Sequence, residues 1–277
     1  MSASYESVLG ALAVERPDLL VMTAENRAPI RNLPQALGPR FLDVGICEQT
    51  LIGAAAGLAL RGRTPVVHAL AAFLTMRAFE FVRTDVGIAG LPVKMVGYVP
   101  GFLSEANGPT HQAIEDVALM RGIPGVDVIC PSDGVELAAA LPAAVASPRP
   151  CYIRYNPLPP VVTHRTPFRL GRAEVLSEGD GVALLTYGVL LGEADRAGAI
   201  LAEQGVPVRL VDLRTLSPLD EEAVVAAARQ AEMVVTIEDH FKIGGLYSMV
   251  AEVLLRHGIS RRVHPISLGQ RWFKPAL

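Results

Sequence analysis

One acidic residue at the start of a helix rich in small residues is the strongest chemical signal in this chain. Residues 42–62 read LDVGICEQTLIGAAAGLALRG, so an apolar strand end runs into Gly45 and Glu48 then opens the helix. Glycine and alanine occupy positions 53–57 and 59 of that helix, which lets a neighbouring backbone approach closely. We therefore expect the Glu48 carboxyl to lie in an enclosed, apolar place, where it could exchange a proton with a bound nitrogen heterocycle.

A structural role explains Glu48 equally well on this segment alone. Acidic residues are common at helix starts, because the partial positive charge of the helix N-terminus stabilises them. The two interpretations stay open until other segments of the chain are considered.

Two further segments follow this helix, AAFLTMRAFEFVRTDV at 71–86 and NGPTHQAIEDVALMRGIPG at 107–125. In order and spacing, the three segments resemble the pyrimidine-binding half of the transketolase family of thiamine-diphosphate enzymes. LRTLSPLD at 213–220 and TIEDHFKIGGLYSMVAEVL at 236–254 resemble the C-terminal domain of the same family. The resemblance covers residues 15–268, which is most of the chain.

Composition and charge exclude several classes of protein. The 277 residues are 51% hydrophobic, which is enough for two modest cores, and the 25 basic and 28 acidic residues are interspersed, so no basic face is available for nucleic acid. No apolar run reaches the roughly 18 to 20 residues that span a bilayer, and the N-terminus lacks the basic start of a signal peptide. We expect a cytoplasmic protein. Cys47, Cys130 and Cys151 form no CxxC pair, which argues against disulfides and zinc.

Short apolar strands alternate with helices, which predicts an α/β protein with two consecutive domains, each a mainly parallel sheet flanked by helices. The resemblance identifies these domains as a thiamine-diphosphate pyrimidine-binding fold and a transketolase C-terminal domain. The predicted boundaries are 1–158 for the first domain, 159–170 for a proline-rich linker and 171–277 for the second domain. The predicted strands are 21–25, 64–70, 93–99, 126–131, 151–156, 181–188, 206–213 and 233–239. The predicted helices are 4–14, 48–61, 75–90, 113–122, 133–146, 191–204, 220–230 and 245–257.

The resemblance implies roles in cofactor binding for four residues. Glu48 matches the family's acid, which hydrogen-bonds N1′ of the thiamine pyrimidine so that the cofactor's own 4′-imino group can remove the proton on C2. Phe73 matches the aromatic residue that stacks on the aminopyrimidine. Leu70 stands three residues earlier, where the family often has an aromatic residue. Arg77 is a weaker match, for which an intersubunit ion pair is equally open.

The resemblance also implies residues that act on the substrate. His111 matches the histidine of the family's PTHQ loop, which faces the thiazolium and the substrate oxygens and is, with Glu48, a predicted catalytic residue. Arg154 matches an arginine that contacts the substrate phosphate, although an ion pair is the open alternative. Asn107 stands where the family usually has an acid that contacts a sugar hydroxyl, so ordinary pentose-phosphate transfer is in doubt. Asn26 follows the first strand and is a candidate for lining the substrate channel.

The metal-binding motif of the family is incomplete in this chain. Gly179-Asp180-Gly181 spells the GDG that opens the family's metal and diphosphate motif, but that motif needs an asparagine roughly 25 to 30 residues later, and 204–212 read QGVPVRLVD. We interpret GDG as a turn before a strand. The complete family enzyme has an earlier diphosphate-binding domain. We therefore expect a separate N-terminal subunit to hold the diphosphate of thiamine diphosphate together with Mg²⁺ or Ca²⁺.

The sequence thus predicts the C-terminal subunit of a split transketolase, active only with its partner subunit in an α2β2 heterotetramer. Such an enzyme transfers a two-carbon ketol unit from a ketose-like donor to an aldehyde-like acceptor. Alternatives are a 2-oxoacid dehydrogenase E1 β-like subunit, which THQAIED disfavours, and a deoxyxylulose-phosphate-synthase-like subunit. A scaffold subunit with a lost site is a further alternative, but such a protein has no need of Glu48, Phe73 and His111 together.

Overall fold

Two β-sheets organise the computed structural model, which describes residues 4–269 and 271–275. The strands are β1 Leu19–Thr23, β2 Phe41–Asp43, β3 Thr64–Leu70, β4 Lys94–Tyr98, β5 Asp127–Ile129, β6 Cys151–Tyr155, β7 Glu174–Ser177, β8 Val182–Thr186, β9 Val208–Asp212, β10 Thr215–Ser217, β11 Met233–Phe241 and β12 Val263–Leu268. The helices are α1 Tyr5–Glu15, α2 Leu33–Leu37, α3 Glu48–Leu60, α4 Phe79–Phe81, α5 Asp116–Arg121, α6 Gly134–Ala146, α7 Leu191–Glu203, α8 Glu221–Gln230 and α9 Leu246–Arg256. Within the described ranges, no helix combines the length and apolar character needed to cross a membrane.

Both sheets are mainly parallel, which confirms the predicted fold class. The seven-stranded sheet has the order β10-β5-β6-β4-β3-β1-β2, and the five-stranded sheet has the order β12-β11-β8-β9-β7. Strands β1, β3 and β6 are buried along almost their whole length, as expected where helices cover both faces of a parallel sheet.

One strand of the second half of the chain joins the sheet of the first half. Strand β10 pairs antiparallel with β5 and covers the edge of the seven-stranded sheet. A continuous hydrophobic core also includes residues of both halves, among them Val128 and Leu216. The two halves are therefore joined by backbone pairing and by shared core packing, which the prediction of two consecutive domains did not anticipate. The predicted boundaries at 158 and 171 stay predictions.

The helix predicted for 75–90 is wrong in detail. Two π-helical segments, Phe73–Arg77 and Val82–Gly87, stand on either side of α4. The amide of Ala78 donates to the carbonyl of Phe73 at 3.1 Å, a wider turn than that of an α-helix. Hydrophobic periodicity does not separate such a bulge from an α-helix, because both bury one face.

A buried ion cluster joins the two halves around Arg154. Its Nε donates to Asp116 Oδ2 at 2.9 Å, and its Nη1 and Nη2 donate to the two carboxylate oxygens of Asp239 at 2.8 and 3.1 Å. Arg154 is only 2% exposed. Tyr152 also donates to Asp116 Oδ2, at 2.7 Å. The first sheet, α5 and β11 are thus linked through one guanidinium.

A second cluster joins the segment after β6 to both halves. His164 Nδ1 lies 2.7 Å from Glu174 Oε2, and its Nε2 lies 3.8 Å from Asp133 Oδ2. Arg214 pairs with Glu136 and Glu174 in the same cluster. The carboxylates of Asp133, Glu136 and Glu174 raise the pKa of His164 to about 9. His164 therefore carries a charge at neutral pH.

Replacing Arg154 with methionine should destabilise the protein strongly. Arg154→Met leaves the carboxylates of Asp116 and Asp239 buried without their cation, and breaking a buried pair in this way costs about 3 to 5 kcal/mol. Urea unfolding measures the change in the free energy of unfolding. Arg196→Met is the matched control, because Arg196 pairs with Glu193 on the surface and should change that free energy by less than about 1 kcal/mol. Equal losses in the two variants would contradict the proposed link.

Stability should also depend on pH through His164. The folded-state pKa of about 9 lies above the unfolded value of 6.5, so the folded state holds its proton more tightly. This stabilisation is complete below the unfolded pKa and is lost as the pH rises through about 9. His164→Gln should flatten the fall in unfolding free energy across that window. His257→Gln, at the exposed end of α9, should keep the wild-type slope. A wild-type slope in His164→Gln would show that the cluster is not coupled to folding.

Candidate functional site

A cleft of about 510 Å³ opens where β1, β3 and β4 end. Carboxyl ends of parallel strands meet at one edge of a sheet, and ligands of α/β proteins commonly bind there. The cleft is lined by Ala24, Glu25, Asn26, Arg27, Ala28, Ile46, Glu48, Leu70, Phe73, Tyr98 and His111. Of the predicted site residues, Glu48, Phe73, Leu70, His111 and Asn26 are therefore brought together.

Glu48 is the first residue of α3 and is 2% exposed. The chain reaches it through a turn at Gly45, whose φ of 72° favours glycine and whose amide donates to Asp43 Oδ1 at 2.9 Å. Oε2 of Glu48 accepts a hydrogen bond from Arg77 Nη1 at 2.8 Å. Among the described residues, no backbone N–H of α3 donates to this carboxylate. Its partner comes from another element rather than from its own helix.

Phe73 contacts both a cation and an imidazole. The Arg77 guanidinium carbon is 4.0 Å from the centroid of the Phe73 ring, and the His111 ring meets it edge-on with centroids 5.0 Å apart. The π-helical turn that begins at Phe73 and ends at Arg77 brings these two side chains together. Glu48, Arg77, Phe73 and His111 thus form one contiguous group of side chains.

His111 is held by the geometry of its loop. Gly108 adopts a φ of 70°, and the His111 amide donates to the Gly108 carbonyl at 3.0 Å. Paired bonds between Gly101 and Ala113 tie the loop to the chain after β4. Nδ1 of His111 lies 2.9 Å from Thr110 Oγ1, and Nε2 has no hydrogen-bond partner among the described residues. One ring nitrogen is therefore anchored and the other is available to a ligand.

Asn26 places a buried amide at the cleft. It is 9% exposed, and its Nδ2 is buried without a hydrogen-bond partner among the residues that the structure describes. Its backbone amide donates to Thr23 Oγ1 at 2.8 Å, and the preceding residue Glu25 has a strained φ of 56°. Buried polar groups are normally hydrogen-bonded, so this donor indicates a position for a ligand oxygen or a water molecule.

Arg154 is not brought to the cleft with the other predicted site residues. Its side chain does not line the cleft, because both sides of its guanidinium are engaged in the buried cluster with Asp116 and Asp239. That cluster carries two negative charges against one positive charge, which disfavours a phosphate. The observed pairing favours the ion-pair alternative for Arg154 over contact with a substrate phosphate.

Asn107 also lies outside the cleft. It is exposed on the histidine loop, and its Nδ2 donates to Ser104 Oγ at 3.2 Å. This geometry does not support its predicted contact with a sugar hydroxyl. Sequence reasoning missed Ile46 and Tyr98 as lining residues. Tyr98 had a usable signal, because it stands at the carboxyl end of a predicted strand.

The described residues contain one cluster of histidine and carboxylate side chains with a spacing suited to a metal ion, formed by Glu136, His164 and Asp212. None of these residues lines the cleft, and Arg214 already pairs within the cluster. Residues 180–181 form a bend before β8, in agreement with the interpretation of this segment as a turn.

The cleft residues fit a flat nitrogen heterocycle. Glu48 lines the cleft together with the apolar side chains of Ile46 and Leu70 and with the Phe73 ring. A carboxylate that faces an otherwise apolar wall can bind a ring nitrogen, and an aromatic side chain can stack on the ring. Glu48 and Phe73 therefore offer the two contacts that a flat nitrogen heterocycle needs, one in its plane and one on its face.

Comparisons with known proteins identify the family of both halves of the chain. The transketolase pyrimidine-binding domain matches residues 1–157, and the transketolase C-terminal domain matches residues 171–276. The chain is 41% identical to the 6-deoxy-6-sulfo-D-fructose transketolase subunit SqwH of Clostridium sp. strain MSTE9. The 227 aligned residues make up 81% of this chain and 70% of the relative. It is 30% identical to a subunit of the apulose-4-phosphate transketolase of Phocaeicola vulgatus, over 94% of this chain and 85% of the relative.

A solved structure is similar over nearly the whole chain. It is described as a split gene transketolase, inactive beta4 tetramer, and it matches with a TM-score of 0.87 and 35% identity over 96% of this chain and 88% of its own. Both domain matches follow each other in the order that the sequence predicted. The chain therefore belongs to the transketolase family.

Proposed function

We propose that this chain is the C-terminal subunit of a thiamine-diphosphate-dependent split transketolase. In this proposal the enzyme transfers a two-carbon ketol unit from a ketose-like donor to an aldehyde-like acceptor. The observation that carries it is the buried Glu48 carboxylate, which faces the same cleft as Phe73 and His111. The names of two relatives, each a part of a transketolase, support it.

Bound thiamine diphosphate supplies a carbon nucleophile and an electron sink, while the protein supplies orientation and polarity. Glu48 binds the pyrimidine ring nitrogen and exchanges a proton with it. Phe73 stacks on the pyrimidine, a contact worth about 0.5 to 1.5 kcal/mol beyond the burial of its area. Leu70 and Ile46 exclude water on the apolar side of the cleft.

His111 and Asn26 act on the substrate in this proposal. The free Nε2 of His111 donates a hydrogen bond or a proton to a substrate oxygen as charge develops there. The buried Nδ2 of Asn26 donates to a carbonyl or hydroxyl oxygen, which would satisfy an otherwise unpaired group. Arg27 is the cleft arginine, but its guanidinium pairs with Asp43 at 2.6 Å. The cleft therefore favours neutral substrate oxygens over a phosphate.

The proposal includes a second, separate chain. This N-terminal subunit would hold the diphosphate with Mg²⁺ or Ca²⁺, and the two chains would assemble as an α2β2 heterotetramer. Ile46 supports this arrangement, because it lines the cleft and is nevertheless 65% exposed. A large apolar side chain at the mouth of a binding cleft is suited to burial against another chain.

Glu48→Gln tests the catalytic assignment. The substitution is nearly isosteric, so the assembled complex should stay folded. It removes the acid, so proton exchange at C2 of bound thiamine diphosphate should slow by at least roughly 100-fold, the effect typical of positioned acid–base groups. Deuterium incorporation at C2, measured by proton NMR after rapid acid quench, gives the rate directly.

Glu80→Gln is the matched control, since Glu80 lies on the exposed face of the same half of the chain. It should leave the exchange rate unchanged. An unchanged rate in Glu48→Gln would return Glu48 to a structural role at the start of α3 and would remove the main support of the proposed function.

The isolated chain should bind thiamine diphosphate weakly. A pyrimidine pocket alone offers few contacts, and the proposed ligands of the diphosphate and its metal belong to the partner. Calorimetric titration with magnesium present should give little heat for this chain and a clear binding curve for the assembled complex. Tight one-to-one binding by the isolated chain would mean that the diphosphate site lies in this chain.

A further inference from the structure

Arg77 contacts the same two side chains that the proposed function assigns to the pyrimidine. Its Nη1 donates to Glu48 Oε2 at 2.8 Å, and its guanidinium carbon lies 4.0 Å from the Phe73 ring centroid. A guanidinium is flat and carries N–H donors in its plane, so it can donate to a carboxylate and lie over an aromatic face at once. An aminopyrimidine uses the same combination of an in-plane contact to the acid and a stacked ring.

Arg77 and a bound pyrimidine would use the same carboxylate and the same aromatic ring. Glu48 is buried, and Arg77 is its one ion-pair partner among the described residues. A ring nitrogen that exchanges a proton with this carboxylate competes for it with the positive charge of Arg77. The Phe73 face under the guanidinium is likewise unavailable to a second flat group.

Arg77 is also built to move. Its side chain is 40% exposed, whereas that of Glu48 is 2% exposed. It ends a π-helical turn, and such bulges frequently occur at functional sites. Water can solvate the guanidinium once it leaves Glu48, whereas the buried carboxylate needs a partner at all times. The exposed member of the pair is therefore the one that can be exchanged.

We propose that Arg77 holds Glu48 and Phe73 in the cofactor-free chain and yields both contacts when the pyrimidine binds. Arg77 is then a positioning residue that keeps the buried carboxylate compensated and ordered until the cofactor arrives. This inference rests on the proposed function, because it takes the cleft to be the pyrimidine site. It replaces the sequence-based assignment of Arg77 as a residue that binds the cofactor.

The test uses the full chain alone and a probe without a diphosphate, 4-amino-5-hydroxymethyl-2-methylpyrimidine, so that the partner's metal site plays no part. Binding is followed by ligand-observed NMR near neutral pH, where a proton is available for the bond between the Glu48 carboxyl and the ring nitrogen. Arg77→Met removes the competitor and retains an unbranched side chain. It should tighten binding by about 3- to 10-fold, the range for a charge-assisted pair that solvent partly screens.

Arg83→Met is the matched control. Arg83 is an exposed arginine in the next π-helical segment, so this variant removes the same charge without touching Glu48. Its affinity should equal that of the wild type. Raising the salt concentration from about 0.05 M to about 0.5 M should tighten binding to the wild type, because screening weakens the competing ion pair, and should leave Arg77→Met unchanged. Circular dichroism and thermal unfolding check that each variant is folded.

Each other result overturns the inference. Weaker or undetectable binding to Arg77→Met would make Arg77 a ligand of the pyrimidine, and an unchanged affinity in this variant would mean that Arg77 does not compete. Glu48→Gln and Phe73→Ala identify failure of the proposed function. If neither weakens probe binding in any background, the cleft is not the pyrimidine site. If both do so while Arg77→Met has no effect, only the exchange is wrong.

Discussion

A charge that leaves water must meet a compensating charge, and this requirement organises the interior of the protein. Arg154 joins Asp116 to Asp239 in a closed cluster, and Arg77 covers the buried Glu48. Each pairing is made between elements that are distant in the chain. Since removing one member leaves the other buried and uncompensated, each also restricts how those elements can move. Arg154 is a fixed link because it is buried between carboxylates. The guanidinium of Arg77 is partly exposed, so water can solvate it when it leaves Glu48.

The position of the cleft follows from the parallel sheet. Parallel strands end at the same edge of the sheet. This arrangement alone brings together the loops after β1, β3 and β4 and the start of α3. Local turns then orient the side chains, with a positive φ at Gly45 before Glu48 and at Gly108 before His111. The strands thus determine the position of the cleft, and the short loops orient the side chains that line it.

The sequence by itself determined the fold class, the family and the core of the candidate site. The alternation of short apolar strands with helices predicts mainly parallel sheets. Glu48, Phe73 and His111 each stand in a short sequence motif that indicates their chemistry. These features are local, so a sequence can encode them visibly. The cleft brings all three together, along with Leu70 and Asn26.

Only the tertiary structure decided the partners of the charged residues. The sequence suggests that Arg154 is a phosphate ligand, but in the folded chain it pairs with Asp239 of β11. The sequence suggests that Asn107 is a substrate ligand, but in the folded chain it is exposed to solvent. The pairing of Arg77 with Glu48 and the addition of β10 to the first sheet are likewise contacts between distant segments. A sequence states which charges exist, but which of them are neutralised depends on how the chain folds back on itself.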